Sequence, residues 1–207
     1  MAEPNSAEAI FQEGYGYYDS EDDSQLPKAV ECFQKAADMG SVDAIYYLGV
    51  MHYNGTGVKQ SFPKALEYFT KAAEMGSQKA TYNLGVMYEG GRGTAQDYAK
   101  AYDLYVKAAD MGSAKAMYNI GTMYRDGNGF DQDYSKSMEW FKKSAALGFT
   151  KAQFSIGMAY HKGKGVKINE FEAMKWFKLA AEGGHKKAQI MVGVLKKQIN
   201  VVTIGLE

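Results

Sequence analysis

Apolar residues recur along this chain at spacings of three and four, as in Ala80, Leu84 and Tyr88 or Ala101, Tyr105 and Ala108, with no strand-like alternation between them. That spacing predicts helices that bury one face. The pattern itself returns every 36 residues: Ala44, Ala80, Ala116, Ala152 and Ala188 each open a copy. Five residues on stand Gly49, Gly85, Gly121, Gly157 and Gly193, then His52, Tyr88, Tyr124 or Tyr160, then the pairs Gly55/Gly57, Gly91/Gly93, Gly127/Gly129 and Gly163/Gly165. A second run starts at Lys64-Ala65, Lys100-Ala101, Lys136-Ser137 or Glu172-Ala173. It passes Phe69, Tyr105, Phe141 or Phe177, and closes at Gly76, Gly112, Gly148 or Gly184.

Each copy therefore predicts a helical hairpin. Its first helix runs from the leading alanine to the tyrosine slot. Its second starts near Asp97 or Asp133, which are N-cap types, and ends at a glycine suited to a left-handed cap. A fixed period means stacked units, each burying its apolar face on the next, so the fold class is an all-α solenoid. The organisation reads as a loose lead at 1–8 and a divergent first copy at 9–43, whose loop DSEDDSQ lacks glycine. Four full copies follow at 44–79, 80–115, 116–151 and 152–187, then a capping helix and tail at 188–207. The tail, INVVTIGLE, reads as a cap, a loose end, or a strand that pairs with another chain.

Glycine inside a helix costs about 1 kcal/mol against alanine. Gly49, Gly85, Gly121 and Gly157 are thus expected to admit the second helix at short range, against small residues such as Ala65 and Ala101. The aromatic series Phe33, Phe69, Tyr105, Phe141 and Phe177 is expected to fill the space between neighbouring hairpins. Glu31/Lys35, Glu67/Lys71, Asp103/Lys107 and Glu139/Lys143 are expected to pair on a solvated face.

Composition narrows the function. The 207 residues carry 24 basic and 24 acidic side chains, so no net field draws the chain to nucleic acid or an anionic membrane. With 46% apolar residues there is ample core, and no apolar run reaches the roughly 20 residues of a membrane span. Cys32, the only cysteine, fits a reducing compartment, and the first residues lack the pattern of a secretory signal. The expected location is cytoplasmic.

The motif A-x-x-x-L-G-x-x-Y-x-x-G-x-G, followed by K-A and K-A-A, resembles the Sel-one-like repeat, a relative of the tetratricopeptide repeat. Ala80 to Gly85, Tyr88, Gly91, Gly93, Lys100-Ala101 and Lys107 to Ala109 carry the resemblance most fully, and it extends from residue 9 to about 197. It implies a right-handed α/α superhelix serving as an adaptor or scaffold. Members of the family serve in degradation complexes, chitin synthase regulation, bacterial signalling and host interaction. This chain departs from the family's secreted, cysteine-rich branch.

Several stretches carry partial catalytic or metal motifs that repeat structure explains equally. Ser61-Phe-Pro-Lys64 has the S-x-x-K form of penicillin-recognising serine enzymes, but Lys28, Lys100 and Lys136 hold the lysine position without that serine. Gly157 to Gly165 resembles a phosphate loop with its glycines one residue too far apart. Asp126, Asn128, Asp131 and Asp133 suggest calcium, yet Ser137 stands where an acidic twelfth ligand belongs. His52, His161, His185 and Cys32 are zinc ligands by type only, and His52 reads as a core histidine. No cofactor or metal is expected.

If the leading alanine, Leu/Ile and tyrosine positions point inward, a second face of the first helices remains. It holds Lys79, Lys115, Lys151 and Lys187, then Tyr46, Tyr82, Tyr118 and Phe154, then Val50, Val86, Thr122 and Met158, then Tyr53, Glu89, Arg125 and His161, with Asn83 and Asn119 alongside. This aromatic and basic face is expected to bind an extended or helical protein segment, one with acidic groups. The two asparagines would clamp its backbone. The expectation is a non-enzymatic scaffold, monomeric or weakly oligomeric. The alternatives are a regulatory subunit or secreted effector acting on one enzyme or host protein, and last an unrecognised hydrolase.

Overall fold

Serine at the start of a helix satisfies a backbone N–H that the helix itself leaves open, and this chain repeats the device. Ser6, Ser41, Ser77 and Ser113 accept from the N–H groups of Ala9, Ala44, Ala80 and Ala116, at 3.2–3.3 Å. They open α1 (Ala7–Tyr18), α3 (Val42–Asn54), α5 (Gln78–Gly90) and α7 (Ala114–Asp126). Two further first helices, α9 (Thr150–Lys162) and α11 (Lys186–Ile204), follow Phe149 and His185, and the His185 imidazole accepts from the Ala188 N–H. The second helices are α2 (Leu26–Asp38), α4 (Phe62–Glu74), α6 (Tyr98–Asp110), α8 (Tyr134–Ala146) and α10 (Glu170–Glu182). Asp97 and Asp133 cap α6 and α8, as their residue type predicts.

The computed structural model describes residues 5–204, with side chains as far as Lys197. Among these residues every regular element is helical, and the chain divides after Met111 into two compact units. The first holds the hairpins α1–α2, α3–α4 and α5–α6; the second holds α7–α8, α9–α10 and α11. α1 begins at Ala7, inside the segment read as a loose lead, of which residues 1–4 lie outside the described residues. At the other end the backbone of residues 199–204 continues α11 as helix and forms no strand; residues 205–207 lie outside the described residues.

The helix-interior glycines serve a different neighbour from the expected alanines. A Cβ on Gly85 would lie 2.6 Å from the Tyr105 ring; on Gly49 it would lie 2.7 Å from the Phe69 ring, and Gly121 and Gly157 stand in the same relation to Phe141 and Phe177. The aromatic ring of the second helix thus seats on the glycine of its own hairpin and does not merely fill the gap to the next. Each such ring is buried. Contact with the adjoining hairpin is also present, as where Phe33 stacks on Tyr47 with centroids 5.4 Å apart.

In the Gly-x-Gly pairs the two glycines divide the work. The first ends the helix with a left-handed residue, Gly91 at φ +62°. The second touches the hairpin before it: a Cβ on Gly93 would meet the Phe62 carbonyl at 2.7 Å, and on Gly165 the Tyr134 carbonyl.

The predicted surface pairs do not form. Glu31, Lys35, Glu67, Lys71, Asp103, Lys107, Glu139 and Lys143 are all exposed, and among the described residues none of the four pairs closes to an ion pair. Lys143 lies instead over the Trp140 ring, 4.1 Å from its centroid. Exposed pairs gain little over hydration, so the outcome follows from the small energies involved.

Candidate protein-binding face

The tyrosine slot of the first helix is not core, contrary to the assumption on which the face was drawn. Tyr88, Tyr124 and Tyr160 are half-buried, with Lys100 over Tyr88 at 4.2 Å and Lys136 over Tyr124 at 5.4 Å. His52 stacks flat on Tyr68 and is also half-buried, and burial lowers its pKa. The position one residue earlier is the core position: Met51, Met87 and Met123 are fully buried. Their 36-residue spacing was available in the sequence as a signal.

The proposed binding residues are nonetheless accessible. Tyr46, Tyr82, Tyr118 and Phe154 are half-buried, each resting on the seated ring of its own hairpin at 5.5–5.8 Å: Phe69, Tyr105, Phe141 and Phe177 respectively. Lys79, Lys115 and Lys151 are exposed, and the Lys79 ammonium lies 5.7 Å from the Tyr46 ring. Asn83 is half-buried beside Tyr46, whose pKa burial raises. Asn119 is half-buried.

Within the first unit, Tyr53, Tyr82, Asn83 and Val86 wall a hollow of about 240 Å³. Tyr53 sets its edge on Phe62, and its hydroxyl accepts from Arg92. Within the second unit a hollow of about 230 Å³ reaches deeper, to Ser137, Met138 and Phe141 on α8. Arg125 borders it, with its guanidinium held to Asp126 by two 2.7 Å bonds, which raise the arginine pKa and lower that of the carboxyl. A broader hollow of about 400 Å³ adjoins, bounded by Tyr118, Lys151, Phe154, His185, Lys186 and Lys187. His185 stacks on Phe154, and burial lowers its pKa, which favours the neutral ring that its capping bond requires.

Five segments, residues 7–41, 42–77, 78–113, 114–149 and 150–185, match the Sel1 repeat. The chain belongs to the Sel1 repeat family. Two solved structures are similar to it at 31% identity. One is a Sel1 repeat protein of Oxalobacter formigenes, with a TM-score of 0.84 over 92% of this chain and 78% of that one. The other is a protective antigen of uropathogenic Escherichia coli with an SLR fold, with a TM-score of 0.81 over 93% of this chain. This chain spans only 41% of the length of that antigen. An immunity protein of Pseudomonas aeruginosa shares the fold at 21% identity, with a TM-score of 0.61 over 91% of this chain and 69% of that one. None of the curated proteins matches significantly.

In this Sel1 repeat protein several of the residues that suggested catalysis or metal binding have structural roles. Ser61 Oγ caps α4 by accepting from the Lys64 N–H at 3.4 Å, which accounts for its S-x-x-K spacing. Gly163 ends α9 in the left-handed conformation. Asp133 caps α8 and Asp126 pairs with Arg125, while His161 pairs with Glu170 at 2.9 Å. Among the described residues no group of three His, Cys, Asp or Glu is placed to hold a metal ion, and no helix is long and apolar enough to cross a membrane. Sel1 repeat proteins are in general interaction scaffolds that bind other proteins.

Proposed function

We propose that this Sel1 repeat protein is a non-catalytic adaptor that binds a segment of a partner protein on the faces of its first helices. One observation carries the reading. At the same position of four hairpins a large ring, Tyr46, Tyr82, Tyr118 or Phe154, lies half on the core and half in the open, and Lys79, Lys115 and Lys151 beside these rings are exposed. Rings anchored on one side offer contact area at small entropic cost, and nearby ammonium groups favour acidic partners. The binding residues proposed are Tyr46, Lys79, Tyr82 and Asn83 in the first unit, and Lys115, Tyr118, Asn119, Arg125, Lys151 and Phe154 in the second. The single cysteine fits work in a reducing compartment, and the chain acts as a monomer or weak oligomer.

Charge reversal is a cleaner test than removing rings, because Tyr82 and Tyr118 also pack on Tyr105 and Phe141. Lys79→Glu and Lys115→Glu together, and separately Lys151→Glu with Lys187→Glu, should leave the melting temperature within about 2 °C. They should cut recovery of the native partner by roughly tenfold in affinity capture. Full recovery by both folded variants overturns the reading.

A further inference from the structure

In three copies the seventh residue after the leading alanine is a fully buried methionine: Met51, Met87 and Met123. The terminal methyl of Met51 lies 3.0 Å from where a Cβ of Gly57 would stand, beside Leu26 of the preceding hairpin. A methionine here therefore fills the joint between hairpins. The last full copy has Ala159, which is half-buried and lines the hollow of about 230 Å³ that reaches α8.

Its walls are apolar: Met138, Phe141, Phe154 and Met158. A cavity of about 150 Å³ takes up benzene, so this one holds one large side chain. The charged groups of its lining are Lys162, Lys164 and Arg125, whose charge Asp126 offsets, with no carboxylate in the lining itself. Phe154 also bounds the neighbouring hollow of about 400 Å³, where Lys151, Lys186 and Lys187 repeat the same sign of charge. Two hollows that share one ring suit a ligand longer than a small molecule.

We propose that the hollow beside Ala159 is the anchor site for one large apolar side chain, aromatic or leucine-like, carried on an acidic segment of a partner protein. The proposal rests on the adaptor reading and adds to it the pocket, the anchor and the flanking charge. The apolar walls desolvate the anchor side chain, and the lysines at the mouth meet carboxylates on either side of it.

The test uses the full chain and two fluorescein-labelled peptides, Asp-Glu-Phe-Glu-Asp and the same peptide with alanine in place of phenylalanine. The phenylalanine peptide should bind roughly 30-fold more tightly than the alanine peptide, the value for burying one such side chain. Ala159→Met, which restores the residue of the other copies, should remove that difference without lowering the melting temperature. Labelled methionine methyls give a second readout in the unaltered protein: those of Met138 and Met158 should shift with the phenylalanine peptide and not with the alanine peptide. The anchor is overturned by equal binding of the two peptides, by undiminished preference in Ala159→Met, or by unmoved methyls. If Ala159→Met also recovers the native partner at the wild-type level, the anchor fails while the adaptor reading stands. That reading falls only when the lysine reversals are silent.

Discussion

The hollows of the two units occupy equivalent places in their repeats and have nearly equal volumes, about 240 and 230 Å³, yet they differ in depth. In the first unit Tyr53 lies against Phe62, Arg92 bonds its hydroxyl, and Met87 is fully buried. In the second, 72 residues later, Arg125 replaces Tyr53 and turns to Asp126, Ala159 replaces Met87, and the hollow reaches Met138 and Phe141. The backbone framework is shared, so a change of a few side chains decides what lines the hollow and whether it reaches the preceding hairpin's second helix. A repeat architecture separates stability, held by positions common to every copy, from recognition, held by the positions where a copy deviates.

The largest expected effect tests the shared part. Valine at Gly85 or Gly157 would drive a branched side chain into the Tyr105 or Phe177 ring, where even a Cβ stands at 2.6 Å. Either substitution should cost about 3 kcal/mol or more by chemical denaturation. A loss below about 1 kcal/mol in one unit alone would show that its ring is not locked. Next, Met87→Ala should extend the first unit's hollow toward α4. It should cost about 2–4 kcal/mol and create peptide affinity in the first unit; stability loss with no new affinity would mean that Arg125, Lys162 and Lys164 are needed as well as space. The smallest effect concerns the loops. Gln60, Gln96 and Gln132 each reach back to a carbonyl at the end of the preceding helix, those of Tyr53, Glu89 and Arg125, at 2.6–2.9 Å, but the fourth position is Ile168, 68% exposed. Ile168→Gln should supply the missing bond and raise stability by about 1 kcal/mol. An unchanged denaturation midpoint would rule out that role for the glutamine straps.

The period, the hairpins, the closing glycines and the aspartate caps were legible because each has a local cause: apolar spacing, cap chemistry, a required left-handed residue. The neighbour of each buried glycine was not. Ala65 and Phe69 stand one turn apart on the same helix, and only the packed structure shows that the ring of Phe69 faces Gly49. The tyrosine slot misled for a similar reason, since Met87 and Tyr88 are adjacent and a small rotation of the helix decides which is buried. The rings and lysines proposed for binding stay accessible on either assignment, the rings half-buried against the core and the lysines exposed. The reach of the second unit's hollow to α8 was hidden because Ala159, which lines it, draws notice only once the buried methionines define what stands there in the other copies.

The ring-on-glycine seat joins residues 20 apart within one hairpin, as in Gly49 and Phe69, while Gly57 against Leu26, Gly93 against Phe62 and Gly165 against Tyr134 each reach back 31 residues. In the first copy the loop is one residue shorter, and a Cβ on Gly14 would still meet the Phe33 ring at 3.0 Å, so the slack lies in the loops and not in the helices. Length change in such a chain is therefore quantised. A whole module can be gained or lost with every residue finding an equivalent neighbour, whereas a single residue inserted within a helix would rotate glycine away from ring and leave both unmatched.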